Sequence, residues 1–154
     1  LSGERTPHND AEMRGVLAGL AHTSDRRSLT RAVLAGVTFA LRDNLAALGD
    51  AGTRLSRVIA VGGGSRSALW LRMIATSLRV TVDIPADGDF GAAFGAARLG
   101  LIAAERADPD EVCSMPAIAR TIEPETVLID AWEASYQRYR ALYPAVRSAM
   151  QYGD

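Results

Sequence analysis

A run of three glycines between two predicted secondary-structure elements constrains this chain more than any other feature of its sequence. The run, Gly62–Gly64, follows a short apolar segment, 57–61, that predicts a buried strand, and it precedes a predicted helix over 66–78. Glycines allow the backbone to approach a ligand that any β-carbon would block. The N-terminus of the helix directs free N–H groups and partial positive charge to the same place. The pattern suits a phosphate or a nucleotide, and a plain tight turn in an α/β fold explains it equally well.

Helices and strands alternate around that turn. Segments 1–24 and 105–118 resemble loops. The alternation predicts an α/β layered fold, and 154 residues suffice for a single domain, 1–154, with its own core. The remaining predicted elements are a helix capped by Ser24 or Asp25 and running to about Leu48, a strand over 80–84 stopped by Pro85, a helix capped by Asp89 and running to about Ala104, a weak strand near 118–122, and a helix from about Leu128 that is bent or restarted at Pro144.

The same glycines are also compatible with a dinucleotide-binding turn of the Rossmann type. Gly62, Gly64 and Ser67 come close to the G-x-G-x-x-G fingerprint, and Asp83 falls where a ribose-binding acid is expected. Two features weaken this interpretation. The third glycine of the fingerprint is replaced by Ser67, and the motif follows a long helix instead of opening the domain.

Other candidates for chemistry are weaker. Asp89-Phe90-Gly91 spells the metal-binding motif of protein kinases, but the chain contains no lysine and no His-Arg-Asp loop. His8 and His22 have no partners at metal-ligand spacing, and Cys113 is interpreted as inert packing. Gly91-x-x-x-Gly95 indicates close packing of a helix. A stripe of aromatic residues at helical spacing is expected to form core or interface: Trp132, Tyr136, Tyr139 and Tyr143.

The composition bounds the remaining function classes. The chain is 48% hydrophobic and 23% charged with a net charge of −1, which gives no reason to expect nucleic acid or a membrane as a partner. One cysteine allows no internal disulfide and fits a cytoplasmic location. The most apolar stretch, 91–104, is interrupted by Arg98 and is too short to span a membrane. Because the chain opens on Leu1 without a methionine, we expect it to belong to a longer protein.

Four segments, taken in order, resemble the FGGY carbohydrate kinase family, and within it the C-terminal region of the xylulokinases. The segment 61–70 resembles the adenosine-binding segment of the family, and 91–97 resembles the glycine- and alanine-rich helix that follows it. The family signature usually has a polar or acidic residue where this chain has Ser28, and an acidic residue or Gln where it has Ala35. The two other segments are Leu1–Asn9, which resembles the loop SGERTPHN, and 15–20 with Leu29 and 32–34, which resembles the second family signature.

The resemblance implies an actin-like, ribonuclease-H-like ATPase lobe. Kinases of this family hold Mg-ATP and a sugar between two such lobes, and xylulokinases transfer the γ-phosphate to the 5-hydroxyl of D-xylulose. The resemblance also implies a loop, 3–9, at the border of the cleft. It assigns the nucleotide contacts to backbone groups of Gly63, Gly64 and Ser65, with Gly62 and Ala68 beside them.

The family's catalytic segments do not occur in these 154 residues. The sequence contains no Gly-Asp-Gln, the segment that carries the general base in the family. The phosphate-handling loop Asp-x-Gly-Thr lies near the N-terminus of the family's enzymes, whereas the one string of this pattern here, 50–53, directly follows the predicted helix that runs to about Leu48. The chain therefore resembles the last third of such an enzyme, with the N-terminal lobe as its missing partner, and we expect it to associate with that lobe or with itself. A non-catalytic nucleotide-binding module and a Rossmann-type domain remain as alternatives.

Overall fold

The computed structural model describes residues 3–86 and 91–151 and contains the predicted alternation of helices and strands. Short 3-10 turns precede two of the helices, at Gly63–Arg66 and Thr126–Leu128. The main elements are α1 (Arg26–Asp50), β1 (Arg57–Ile59), α2 (Ala68–Leu78), β2 (Thr81–Pro85), α3 (Gly91–Glu105), α4 (Pro109–Val112), β3 (Ile118–Ile122) and α5 (Ile129–Gln151).

The described strands form a sheet in the order β1-β2-β3. β1 runs parallel to β2, with Ile59 opposite Asp83. β2 runs antiparallel to β3, with Val82 opposite Ile122. The register of this second pair shifts between Ile84 and Pro85, because proline has no N–H to donate to a regular ladder.

Polar side chains cap α1 and α2, and the cap of α1 is one that the sequence predicted. The carboxylate of Asp25 accepts from the N–H of Ser28 at 2.7 Å and begins α1. Ser67 accepts from the N–H of Trp70 at 3.3 Å and begins α2. These side chains occupy donors that a helix leaves free in its first turn. The predicted cap of α3, Asp89, lies outside the described residues.

The core forms where α2 covers one face of the sheet. Leu71 and Ala75 of α2 pack against Val82 of β2, and all three are almost fully buried. Phe39 of α1 joins α5 through the aromatic side chains Trp132, Tyr136 and Tyr139, whose ring centroids lie 5.3–5.8 Å from its own. The aromatic stripe is thus confirmed as packing, and it fixes α1 against α5.

Several predicted boundaries were wrong. β1 ends at Ile59, so Val61 belongs to the turn and is 51% exposed. The predicted loop 105–118 contains the short helix α4, because Asp108 caps it and Pro109 occupies its first position. α5 continues through Pro144 without restarting. Because proline has no N–H, the carbonyl of Arg140 one turn earlier loses its helical donor. Arg140 and Pro144 are both exposed, so water can replace the lost hydrogen bond.

Within the described part of the chain, α1 is long enough and, with a mean hydropathy of 1.2, apolar enough to cross a membrane. The sequence analysis did not predict this. One such helix is weak evidence for a span. Thr38 and Phe39 are buried, and Asp43 accepts a hydrogen bond from Tyr136 of α5. Other apolar side chains of α1, among them Val33 and Val37, are exposed.

Candidate nucleotide-binding turn

The glycine turn lies directly after the carboxyl end of β1. Gly62 has φ +79°, a backbone conformation that favours glycine over any residue with a side chain. The hydroxyl of Ser65 donates to the carbonyl of Gly62 at 2.7 Å, and the N–H of Ser65 donates to the same oxygen at 3.1 Å. The buried side chain of Ser65 therefore closes the turn. Its contribution to a ligand would come from the backbone.

The other two glycines differ in what surrounds them. A β-carbon on Gly64 would lie 2.6 Å from a ring carbon of Trp70, so packing alone excludes a side chain there. A β-carbon on Gly63 would meet no atom within 4 Å, and Gly63 does not have a positive φ. Neither packing nor dihedral angle within the described structure requires glycine at this position. Open space at an exposed backbone is what close approach of a ligand needs.

The N-terminus of α2 follows the turn. Ala68 is its first residue and is half-buried, and Ser67 caps it. α3 begins on the same side, since a β-carbon on Gly91 would lie 3.9 Å from a methyl group of Val61. The glycine turn and the first residue of α3 therefore meet at the carboxyl edge of the parallel pair β1-β2. Ligands bind at this edge in open α/β sheets.

An apolar groove of about 420 Å³ adjoins the turn. Gly64 and Ser65 form part of its lining, and the C-terminal half of α1 supplies a wall. Its volume lies within the usual range for small-molecule sites, roughly 300–1,000 Å³. The wall and floor include Leu41, Asn44, Leu45, Leu48, Leu55, Ile74 and Trp70.

The sequence analysis missed this groove. Leu41, Leu45 and Leu48 recur at helical spacing, which predicts α1 but does not show what covers them. In the structure Leu41 is 37% and Leu48 is 43% exposed. An apolar helix face beside a glycine turn can therefore form the wall of a site for a planar ring instead of packing into the core. Asn44, whose amide donates to the carbonyl of Ala40 at 2.8 Å, adds a polar group on this wall.

Asp83 is not placed for ribose binding. It is 1% exposed and lies within β2, where it accepts a hydrogen bond from the hydroxyl of Thr121 at 2.7 Å. Its second oxygen lies 2.9 Å from Nε of Arg57. Asp83 therefore links the three strands through buried polar contacts. The ribose-binding role considered for this residue was wrong.

The remaining candidates lie away from the turn or have structural roles. The His8 ring stacks on Tyr143 at a centroid distance of 3.5 Å. Cys113 is exposed, so its interpretation as packing was wrong. Within residues 3–86 and 91–151, no group of three or more His, Cys, Asp or Glu side chains could hold a metal ion.

Comparison with known proteins agrees with the geometry. The sequence model for the C-terminal domain of the FGGY family of carbohydrate kinases matches residues 1–104. The xylulose kinase of Escherichia coli (strain K12) is 37% identical over 145 residues, which cover 93% of this chain and 30% of that protein. A crystal structure of a xyloylose kinase from Brucella ovis matches with a TM-score of 0.88 and 61% identity, covering 96% of this chain and 31% of that one. The xylulose kinase from Rhodospirillum rubrum matches with a TM-score of 0.76 and 27% identity, covering 93% and 30%.

The fold is therefore that of an actin-like, ribonuclease-H-like ATPase lobe, as the resemblance implied. The chain belongs to the FGGY family of carbohydrate kinases, and its match is to the C-terminal domain of that family. It spans about three-tenths of the length of the relatives it matches. Membership in this family also argues against the Rossmann alternative.

Proposed function

We propose that this chain forms the ATP-binding C-terminal part of a xylulose kinase, which transfers the γ-phosphate of ATP to D-xylulose. The observation that carries the proposal is the unfilled space at Gly63, on an exposed turn beside the apolar groove. The similarity to xylulose kinases over 93–96% of this chain supports the choice of substrate class. The cytoplasm, where ATP and sugars meet, is the expected location.

The turn and the groove would contact different parts of the nucleotide. The apolar wall formed by Leu41 and Leu45 suits the flat face of a purine ring. The exposed backbone at Gly63 and Gly64 would lie against the adenosine end, and Gly62, Ser65 and Ala68 would hold that backbone in place. Mg²⁺ would bind through the phosphate groups of the nucleotide. Phosphoryl transfer depends mainly on positioning and charge stabilisation, and this chain would supply the positioning of adenosine.

The sugar and the general base would be held by an N-terminal lobe. Two features of the structure suit such a partner. β1 has a described neighbour on one side only, so its other edge presents backbone groups for pairing. α3 has no buried residue in spite of its alanines and leucines. A lobe packed on this side would cover apolar surface that is now exposed.

Calorimetric titration of the chain with ADP tests the proposal. Gly63→Val fills the open space without a clash and without strain from a positive φ, so ADP affinity should fall at least about tenfold while helicity by circular dichroism stays unchanged. Gly100→Val is the matched control, because this glycine also has no atom near its β-carbon position and does not line the groove. Absence of ADP binding by the unmodified chain would contradict the proposal. Equal ADP affinity of both variants and the unmodified chain would remove the glycine turn from the site.

A further inference from the structure

A second groove, of about 710 Å³, lies along the N-terminal half of α1. None of its lining residues also lines the groove beside the glycine turn. Its rim carries four arginines, three from α1 and one from α2: Arg26, Arg27, Arg31 and Arg72. Its apolar lining comes from three helices and the turn before α5: Leu34, Leu69, Met73, Leu128 and Trp132.

The positive charge of this rim is largely uncompensated. Arg26, Arg27 and Arg31 have no ion pair or side-chain hydrogen bond with any residue in the described ranges 3–86 and 91–151. Arg72 approaches Glu125 at 3.5 Å, and both side chains are about half exposed. Glu125 is also the acidic residue of the lining. The lining of the groove therefore carries four guanidinium groups and one carboxylate.

The backbone of α1 adds to the same positive field. The first turn of a helix carries partial positive charge, which acidic side chains usually balance. The first turn of α1 contains no acidic residue and instead begins with Arg26 and Arg27. The carboxylate of the cap residue Asp25, which accepts from the N–H and the hydroxyl of Ser28, supplies one negative charge against these arginines and does not line the groove. An anion entering the groove would relieve repulsion between these arginines, and the planar fork of a guanidinium suits carboxylate, sulfonate or phosphate oxygens.

We propose that this groove binds a small amphiphilic anion, with an apolar body against Trp132 and Leu69 and an anionic group among Arg26, Arg31 and Arg72. The volume lies within the range of small-molecule sites, roughly 300–1,000 Å³. The apolar floor distinguishes the groove from a surface that attracts any free phosphate. Because the two grooves share no lining residue, this ligand is a second one, distinct from the proposed nucleotide, and its binding does not depend on the proposed kinase activity.

A matched pair of dyes tests this site. Anilinonaphthalene sulfonate carries an apolar aryl body with one sulfonate, and N-phenylnaphthylamine has the same body without the charge. Each dye is titrated into the chain while tryptophan emission is followed, since Trp132 lines the groove. The anionic dye should bind at least roughly tenfold more tightly than the neutral one, because guanidinium groups add charge-assisted contacts.

The double variant Arg26→Gln/Arg31→Gln should lose this preference and bind both dyes equally. Arg120→Gln is the control for loss of an arginine elsewhere on the surface, because Arg120 is exposed on β3 and does not line the groove. Its affinity for the anionic dye should stay within about twofold of the unmodified chain. Equal affinity of the unmodified chain for the two dyes would overturn the proposal, and so would an equal loss in the Arg120 variant.

Discussion

Trp70 occupies the space that a side chain on Gly64 would need, with a ring carbon 2.6 Å from the position of a β-carbon. The indole N–H of the same ring donates to the hydroxyl of Thr38 on α1 at 3.1 Å, and Thr38 is fully buried. The glycine turn is therefore packed under a side chain that also joins α1 to α2. Gly64 serves the fold, whereas Gly63 leaves open space, and the two positions respond differently to substitution.

Gly64→Ala should lower the free energy of unfolding by about 1–3 kcal/mol, because a methyl group must displace the Trp70 ring. Gly63→Ala should change it by less than about 0.5 kcal/mol, because its β-carbon meets nothing. Urea unfolding followed by circular dichroism measures both. Because Trp70→Leu removes the clash, Gly64→Ala should cost less in a Trp70→Leu background than in the unmodified chain. Similar costs for the two alanine variants would refute this account of the turn.

Tyr136 should stabilise the contact of α1 with α5 through its hydroxyl. The hydroxyl donates to the carboxylate of Asp43 at 2.5 Å, and both residues are less than a tenth exposed. Tyr136→Phe should therefore lower the free energy of unfolding by about 1–3 kcal/mol at neutral pH, because it removes the donor to a buried carboxylate. Tyr139→Phe is the matched control, as this neighbouring ring also packs on Phe39. An equal loss in both variants would attribute the effect to general packing.

The same tyrosine predicts a loss of stability in alkali. Burial, together with the hydrogen bond to Asp43, raises the pKa of Tyr136 to about 12. Because this value lies above the ordinary tyrosine value of about 10, the stabilisation is complete below pH 10 and is lost as the pH rises through about 12. Denaturant midpoints across this range should fall less steeply for Tyr136→Phe than for the unmodified chain. Parallel curves would show that another group controls alkaline unfolding.

The loop around Asp10 should depend on the C-terminal half of α5. Asp10 is 7% exposed and accepts hydrogen bonds from the hydroxyl of Tyr143, at 2.9 Å, and from Arg147. Asp10→Ala should release the loop, so that trypsin cleaves after Arg5 and Arg14 several-fold faster, because local opening governs cleavage. Cleavage after Arg54 is the internal control. If the first two rates stay unchanged, these contacts do not hold the loop.

Burial acts to raise the pKa of Asp10, but the hydrogen bonds from Tyr143, the N–H of Glu12 and Arg147 lower it overall. A lowered pKa means that the contact is fully formed above the ordinary aspartate value and is lost as the pH falls below it. The ring protons of His8, stacked on Tyr143, provide a local signal. Because the pKa of Asp10 is lowered, their chemical shifts should lose the ring-current contribution only at a pH below the ordinary aspartate value in the unmodified chain.

The sequence predicted those parts of the fold that have a local signal. Asp25 was available as a cap, and the segments around Val82 and Ile122 predicted β2 and β3. Contacts between distant residues have no such signal. Asp10 and Tyr143 are 133 positions apart, and neither shows by its neighbours that it will meet the other.

The same distinction between local signals and contacts of distant residues applies to the candidate site. The glycines and the helix after them could be found from the sequence, because turn and cap residues act on their own backbone. The wall of the groove could not, since periodicity shows that Leu41 and Leu48 are apolar but does not show what covers them. The clash between Trp70 and Gly64 likewise depends on how α1 and α2 pack, which brings the Trp70 indole onto the turn.

The exposed apolar surface of α3 should make the chain associate. Phe94 is 42% and Leu99 is 67% exposed, and α3 has no buried residue. Light scattering across a concentration series should show oligomers, because extended apolar patches rarely stay free in water. Leu99→Glu should weaken association at least roughly tenfold. Leu20→Glu, at a leucine that is 61% exposed in the N-terminal loop, is the control. A monomer at high concentration, or equal effects of the two variants, would contradict a role for α3.

The chain by itself should not phosphorylate D-xylulose. The Gly-Asp-Gln segment of the family does not occur among its 154 residues. Its one Asp-x-Gly-Thr string, 50–53, lies at the end of α1 and not in the N-terminal position of the family's phosphate-handling loop. Loss of a general base alone lowers a rate by about 10²–10⁴-fold, and the phosphate-handling loop contributes further. A coupled assay of ADP release, run beside the full-length xylulose kinase of Escherichia coli, measures this directly. The same preparation should bind ADP by calorimetry, so that missing turnover is not mistaken for misfolding. Turnover close to that of the full-length enzyme would mean that this chain contains a base and a sugar site of its own, and the division of labour between two lobes would have to be abandoned.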